Sequence, residues 1–140
     1  MSVLRTLQGT PASPGIAIGP VRVLSSQQRS KPLPAGERVP AQELARLRAA
    51  QKQAEKEIQE IYERACTEVG EGDSVIFQIH ILMLQDEGFQ QMIRKSIVED
   101  HASAEYAVWS AGRKLYQMFS NMEDEYMRAR SEDMLDISRR

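Results

Sequence analysis

The segment Val75–Gln85 (VIFQIHILMLQ) constrains the fold most, because it is apolar around too much of its circumference for an ordinary surface helix. At about 100° per residue, Phe77 and Ile81 cover one side, Leu82 another, and Ile76 with Met83 a third. Gln78 and Gln85 leave only a narrow polar strip. Such a helix is either central to its domain or buries one side against something from outside. Ile76, His80, Met83 and Glu87 follow i, i+4, i+7, i+11, so two apolar residues, a histidine and a carboxylate are expected on one line. A mixed stripe of this kind suits a docking surface better than a core.

The 140 residues suffice for one domain with a sizeable core. A net charge of −2 weighs against nucleic acid, which favours basic patches. Cys66 is the single cysteine, so no disulfide forms within the chain, which fits a reducing cytosol. Its place late in a helical pattern reads as a small filler rather than a reactive thiol. The start MSVLRTLQ lacks the basic and apolar regions of a signal peptide. No run approaches the roughly 20 apolar residues of a membrane span. A cytoplasmic protein with neither a membrane nor a nucleic-acid partner is expected.

The first 24 residues differ in kind from the rest. Ser13-Pro14-Gly15 is turn chemistry, and Ile16–Leu24 reads as strand interrupted by Gly19-Pro20. Residues 25–40 form a polar linker containing prolines, and everything afterwards reads helical. Pro40 suits a first helical turn. From there Leu44, Leu47, Ala50, Ala54, Ile58, Ile61 and Ala65 recur at spacings of three and four. Gly70 and Gly72 are expected to break this helix, with Asp73 or Ser74 capping the next. Gly88 is expected to end or bend that second helix, and Phe89, Met92, Ile93 and Ile97 mark a third reaching Asp100-His101. Ser103 caps a long helix through Ala107, Val108, Ala111, Leu115, Met118 and Phe119. A last helical pattern after Asn121 carries Tyr126, Met134, Leu135 and Ile137. One strand alone leaves its backbone groups unpaired, so its partner strands are expected beyond residue 140.

Catalytic machinery is thin. Neither of the two histidines, His80 and His101, has zinc spacing to Cys or carboxylates. No glycine-rich phosphate loop or G-x-S-x-G elbow occurs. The acids Asp86-Glu87 and Glu123-Asp124-Glu125 read as solvated helix ends rather than a metal or acid–base site. His80 is open between an inert buried histidine and an interface contact flanked by Ile76 and Met83. A phosphorylated histidine is disfavoured, because nothing around His80 in sequence would cradle a phosphate. His101 reads as an exposed linker residue. Trp109 and Tyr106 have core spacing. Tyr126 and Arg130, four apart, either extend the exposed stripe together with Phe119 or pack ordinarily.

Three ordered blocks carry a resemblance: Thr10–Val21 (TPASPGIAIGPV), Ile76–Glu87 (IFQIHILMLQDE), and Asp124–Arg130 (DEYMRAR) with Asp133–Ile137 (DMLDI). In this order they resemble Enzyme I, the phosphoenolpyruvate–protein phosphotransferase of the bacterial sugar phosphotransferase system. The resemblance implies a parent enzyme of the transferase or kinase class that takes a phosphoryl group from phosphoenolpyruvate onto a histidine, with Mg2+, and passes it to the phosphocarrier HPr. That histidine belongs to a glycine-rich segment ending in Ser-His or a close variant, which this sequence lacks. The implied fold is mainly α: an antiparallel four-helix-type bundle, the HPr-binding subdomain, over 41–140. One or two short strands of an incomplete swivelling α/β domain over 1–24 would precede it. The chain alone would then bind the carrier, hold no cofactor and catalyse nothing, with the parent a homodimer through domains outside it.

By motif alignment the family's carrier-docking face falls on Glu71, Ile76, His80, Met83, Glu87, Phe89, Phe119, Tyr126 and Arg130, which includes the stripe found from helical geometry. Gly72 and Gly88 stand where acidic residues are frequent in the family. Weaker steering follows, since rim charges act mainly on the on-rate, with greater dependence on Ile76, Met83 and Phe89. Gly88 also loosens its helix junction by roughly 1 kcal/mol relative to a good helix former. The rival readings are a nitrogen-type or dihydroxyacetone-type paralogue meeting a variant carrier, or a non-catalytic helical dimerisation module. A sensory domain ahead of the bundle would mark the nitrogen branch, and a chain starting at Met1 favours the sugar type.

Overall fold

The computed structural model describes residues 6–11, 13–23 and 38–140. Six helices follow one another: α1 (Pro40–Glu68), α2 (Glu71–Leu84), α3 (Glu87–Glu99), α4 (Ala104–Ser120), α5 (Glu125–Ala129) and α6 (Ser131–Arg139). The fold is mainly α, as the helical periodicity predicts.

The strand expected over 16–24 has no ladder among the described residues. Ile16, Ile18, Val21 and Val23 are almost wholly exposed, and residues 13–23 carry no strand; Leu24 lies outside the described residues. A strand exists only within a ladder, and β-branched composition alone does not supply one. The turn chemistry does hold locally, with Gly15 at φ +112°, a conformation costly for a residue with a Cβ. Of the expected linker, 25–37 lies outside the described residues, and Pro40 already opens α1.

One face of α1 buries Glu43, Leu47, Ala54 and Ile58, the three-and-four spacing of an amphipathic helix. Gly70, at φ +99°, ends it and serves as N-cap of α2. The expected caps are therefore corrected: Asp73 and Ser74 lie inside α2, and Gly72 does too. Buried Ser74 donates its hydroxyl to the Glu71 carbonyl at 2.9 Å and lies 3.1 Å from Cys66 Sγ, joining α2 to α1. Gly88 does not end α2 either. That helix closes at Leu84 with Gln85 as its C-cap, and the Asp86 carboxylate accepts from the Phe89 amide at 2.8 Å and starts α3. Glu87 consequently stands in the first turn of α3 rather than on the α2 stripe. Asp124 caps α5 in the same way through the Met127 amide, so both acidic runs are helix ends, as expected. Ser103 caps α4 as the sequence predicts, accepting from the Tyr106 amide at 3.2 Å, and His101 is exposed between α3 and α4. The single last helix expected after Asn121 divides at Arg130 into α5 and α6.

The core joins Leu47, Ala54 and Ile58 of α1, Leu84 of α2, Phe89, Ile93 and Ile97 of α3, Ala107, Ala111 and Leu115 of α4, and Met134 and Ile137 of α6. Glu43 enters this apolar set at only 3% exposure. Its Oε2 accepts from the Ala104 amide at 2.8 Å, and Arg46 Nη1 donates to both carboxylate oxygens at 3.1 and 2.9 Å. Arg46 also pairs with Glu105, so α1 caps α4 across the domain. The Ala104 amide first, and then Arg46, hold the Glu43 carboxyl below its ordinary value against the opposing effect of burial. A carboxylate with a depressed folded-state pKa stabilises fully above its unfolded value, and that stability is lost as pH falls through the folded one. Glu43→Gln is therefore expected to lower stability at neutral pH by about 1–3 kcal/mol. It should also flatten the acid limb of a stability-against-pH curve from urea melts. An unchanged acid limb would show that Glu43 does not carry it.

Candidate functional site

Between α2 and the C-terminal half of α4 the helices leave an open groove of about 610 Å3. Ile79, Leu82 and Met83 of α2 form one wall, and Leu115, Met118 and Phe119 of α4 the other. Met92 of α3 and Met134 of α6, with Asp86 and Gly88 at the α2–α3 junction, complete the lining. Leu115 and Met134 are buried deep in the groove, while Leu82 and Met118 are 67% and 52% exposed. Paired apolar rims standing in solvent over buried apolar residues mark a surface that gains by being covered. Four of the lining residues are methionines, side chains that adapt to irregular partners. Gly88 brings the α3 start close: a Cβ there would stand 3.2 Å from Asp86 Oδ1.

Beside the groove lies a polar cluster. His80 is buried, with Nε2 3.4 Å from Asp133 Oδ1 and its ring edge-on to Phe77 at 6.2 Å. Asp133 Oδ2 accepts from Arg130 Nη1 at 3.1 Å. Arg130 Nη2 donates to the Tyr126 hydroxyl at 3.3 Å, and the guanidinium lies 4.8 Å from that ring's centroid, in cation–π range. The Tyr126 hydroxyl, and then Asp133, raise the Arg130 pKa above its ordinary value.

The expected site residues divide accordingly. Met83 and Phe119 are walls of the groove, and His80, Tyr126 and Arg130 meet in the polar cluster. Ile76 is half-buried on α2, and Glu71 and Glu87 are exposed at the first turns of α2 and α3. Phe89, at 1% exposure, lies beneath the surface in the core. Sequence reasoning missed Ile79, Met92 and Met118 as lining and Asp133 as the hub. The i, i+3 spacing of Arg130 and Asp133 was a usable signal, but the approach of Asp133 to His80 has no local signature.

The profile of the PEP-utilising enzyme N-terminal family matches residues 8–130. The chain belongs to that family. Among relatives of this N-terminal family member, the phosphoenolpyruvate-protein phosphotransferase of Geobacillus stearothermophilus is 34% identical over 139 residues, covering 97% of this chain and 23% of its own length. That of Priestia megaterium is 32% identical over 136 residues, covering 97% of this chain and 24% of its own. The chain thus spans about a quarter of the length of these curated relatives. Among solved structures, an Enzyme I (nEIt) solution structure superposes with a TM-score of 0.71 at 24% identity, over 76% of this chain and 43% of that one. The N-terminal domain of Enzyme 1 - Nitrogen gives 0.71 at 22% identity, over 77% and 45%. At these identities the two structures establish the shared fold. Among the described residues of this family member no helix is long and apolar enough to cross a membrane. No group of three or more His, Cys, Asp or Glu among those residues could hold a metal ion.

Proposed function

We propose that this chain is the carrier-docking part of a phosphoenolpyruvate–protein phosphotransferase, and that its helices, arranged as an antiparallel four-helix-type bundle, grip the phosphocarrier HPr. In the parent enzyme a histidine outside these residues takes the phosphoryl group from phosphoenolpyruvate and hands it to the seated carrier. Mg2+ and the homodimer contacts belong to those other parts, the protein works in the cytoplasm in sugar transport, and this chain alone transfers nothing. The observation that carries the reading is the open apolar groove between α2 and α4, rimmed by exposed Leu82 and Met118. Burying such a rim side chain contributes about 1.5–3 kcal/mol. Asp86 in the lining of the groove, with exposed Glu71 and Glu87, offers acidic charge to a carrier whose apolar patch is ringed by basic residues, which speeds encounter and fixes orientation.

Amide NMR of the isotopically labelled chain, titrated with HPr of the same organism, tests this. Shifts are expected on α2, on the start of α3 and from Leu115 to Arg130. An absence of shifts at near-millimolar HPr, from a chain shown to be folded, would overturn the docking reading. Shifts with a nitrogen-type carrier alone would move the chain to the paralogue branch.

A further inference from the structure

The two oxygens of one carboxylate face two different parts of the docking region. Asp133 of α6 points Oδ1 at His80 Nε2 of α2, 3.4 Å away, and Oδ2 accepts from Arg130 Nη1 at 3.1 Å at the α5–α6 corner. Its side chain is only a fifth exposed, and a carboxylate so placed is unfavourable unless paired; Arg130 compensates it. Arg130 in turn underlies the Tyr126 ring, which is 60% exposed. Neither His80 ring nitrogen completes a hydrogen bond among the described residues, and the Arg130 Nε is likewise buried without a partner. At 3.4 Å the approach of Asp133 is longer than a good N–H···O bond. The ring stands between Asp133 Oδ1 on one side and the edge-on Phe77 ring on the other.

We infer that Asp133 is the positioning residue of the docking face, holding the His80 imidazole on α2 and the Arg130–Tyr126 pair at the α5–α6 corner in one fixed relation. The inference rests on the docking reading above. Asp133 itself touches no carrier in this scheme; it sets where His80, Arg130 and Tyr126 stand before the carrier arrives. Pre-organisation of this kind lowers the ordering cost of binding. Without the carboxylate, Arg130 keeps only Tyr126 and is free to swing towards solvent, and the two halves of the face no longer share an anchor.

Asp133→Ala and Asp133→Asn test it, each in the 140-residue chain. The Arg130 guanidinium N–H resonances are expected to be resolved in the wild-type chain, because rotation is hindered, and to average in Asp133→Ala. HPr affinity should fall about tenfold, as for loss of a hydrogen bond to a charged group. Asp133→Asn keeps the volume and one acceptor for Arg130 and should recover part of both signals, which also covers the case in which the alanine variant does not fold. The cost of His80→Gln should shrink in the Asp133→Ala background, since coupled residues are not additive. If Arg130 is released and HPr binds undiminished, the positioning role is overturned while docking stands. If the wild-type chain ignores HPr although its Arg130 resonances are resolved, the docking reading fails and this role goes with it.

Discussion

Gly112→Val is expected to destabilise the domain by about 3 kcal/mol, at the upper end of what overpacking a core costs, and to lower the melting temperature by roughly 10 °C. Gly112 lies on α4 where α6 presses closest. A Cβ there would stand 2.6 Å from Ser138 Cβ and 3.6 Å from the Met134 carbonyl oxygen. Ser138 cannot yield by a rotamer change alone, because its Cβ is carried by the α6 backbone and its hydroxyl already donates to the Met134 and Leu135 carbonyls. Gly112→Ala gains helix propensity of about 1 kcal/mol, which offsets part of the clash and leaves a smaller loss. Adding Ser138→Gly to Gly112→Ala should restore stability, because it removes the opposing Cβ. Thermal melts by circular dichroism decide the matter. A Gly112→Ala variant that melts well above the wild-type chain would mean that α4 and α6 are not in contact at this point. Since Met134 lines the groove and Asp133 anchors its polar flank, a displaced α6 should also weaken carrier binding.

Local signals were legible and long-range ones were not. The three-and-four spacing of Leu47, Ala54 and Ile58 marks α1 because an amphipathic helix writes its buried face into consecutive turns. Pro40 and Ser103 mark helix starts through backbone chemistry that acts within a few residues. The same chemistry misled at the α1–α2 junction. Ser74 has a capping side chain, yet Gly70 with its positive φ turns the chain earlier and frees Ser74 for burial against Cys66. The strand expected over 16–24 has no ladder among the described residues because a strand is a property of two segments, and the pattern of one cannot supply the other. Glu43 stands in the first turn of α1, yet its partner is the Ala104 amide, 61 residues away, reached only when α1 crosses α4. The α2 run shows both halves of the problem. Its excess of apolar faces announced that something must cover it, and the fold buries Leu84, packs half-buried Phe77 and Ile81 against the core and leaves Leu82 to solvent. Which side would remain open depended on where α4 lies, and no residue of α2 encodes that.

Met83→Asp is expected to weaken HPr binding at least about a hundredfold, or roughly 3 kcal/mol. Met83 forms a wall of the groove opposite Phe119, so a carboxylate there would be desolvated by an apolar partner with no cation to pair with. Met83 is also half-buried against the core, and the substitution therefore lowers the melting temperature as well. Leu82→Asp separates the two effects. Leu82 stands mostly in solvent on the same wall, so its replacement should change stability by no more than about 0.5 kcal/mol while still placing a charge in the interface. Phe89→Ala supplies the opposite control: a fully buried ring of α3 whose loss costs about 3–5 kcal/mol of stability and reaches the carrier only through unfolding. Binding isotherms and melts on the three variants then give three different patterns if the groove is the interface: binding lost with stability dented, binding lost alone, and stability lost first. Undiminished HPr binding by a folded Leu82→Asp chain would take the carrier off this face, whatever Met83→Asp did.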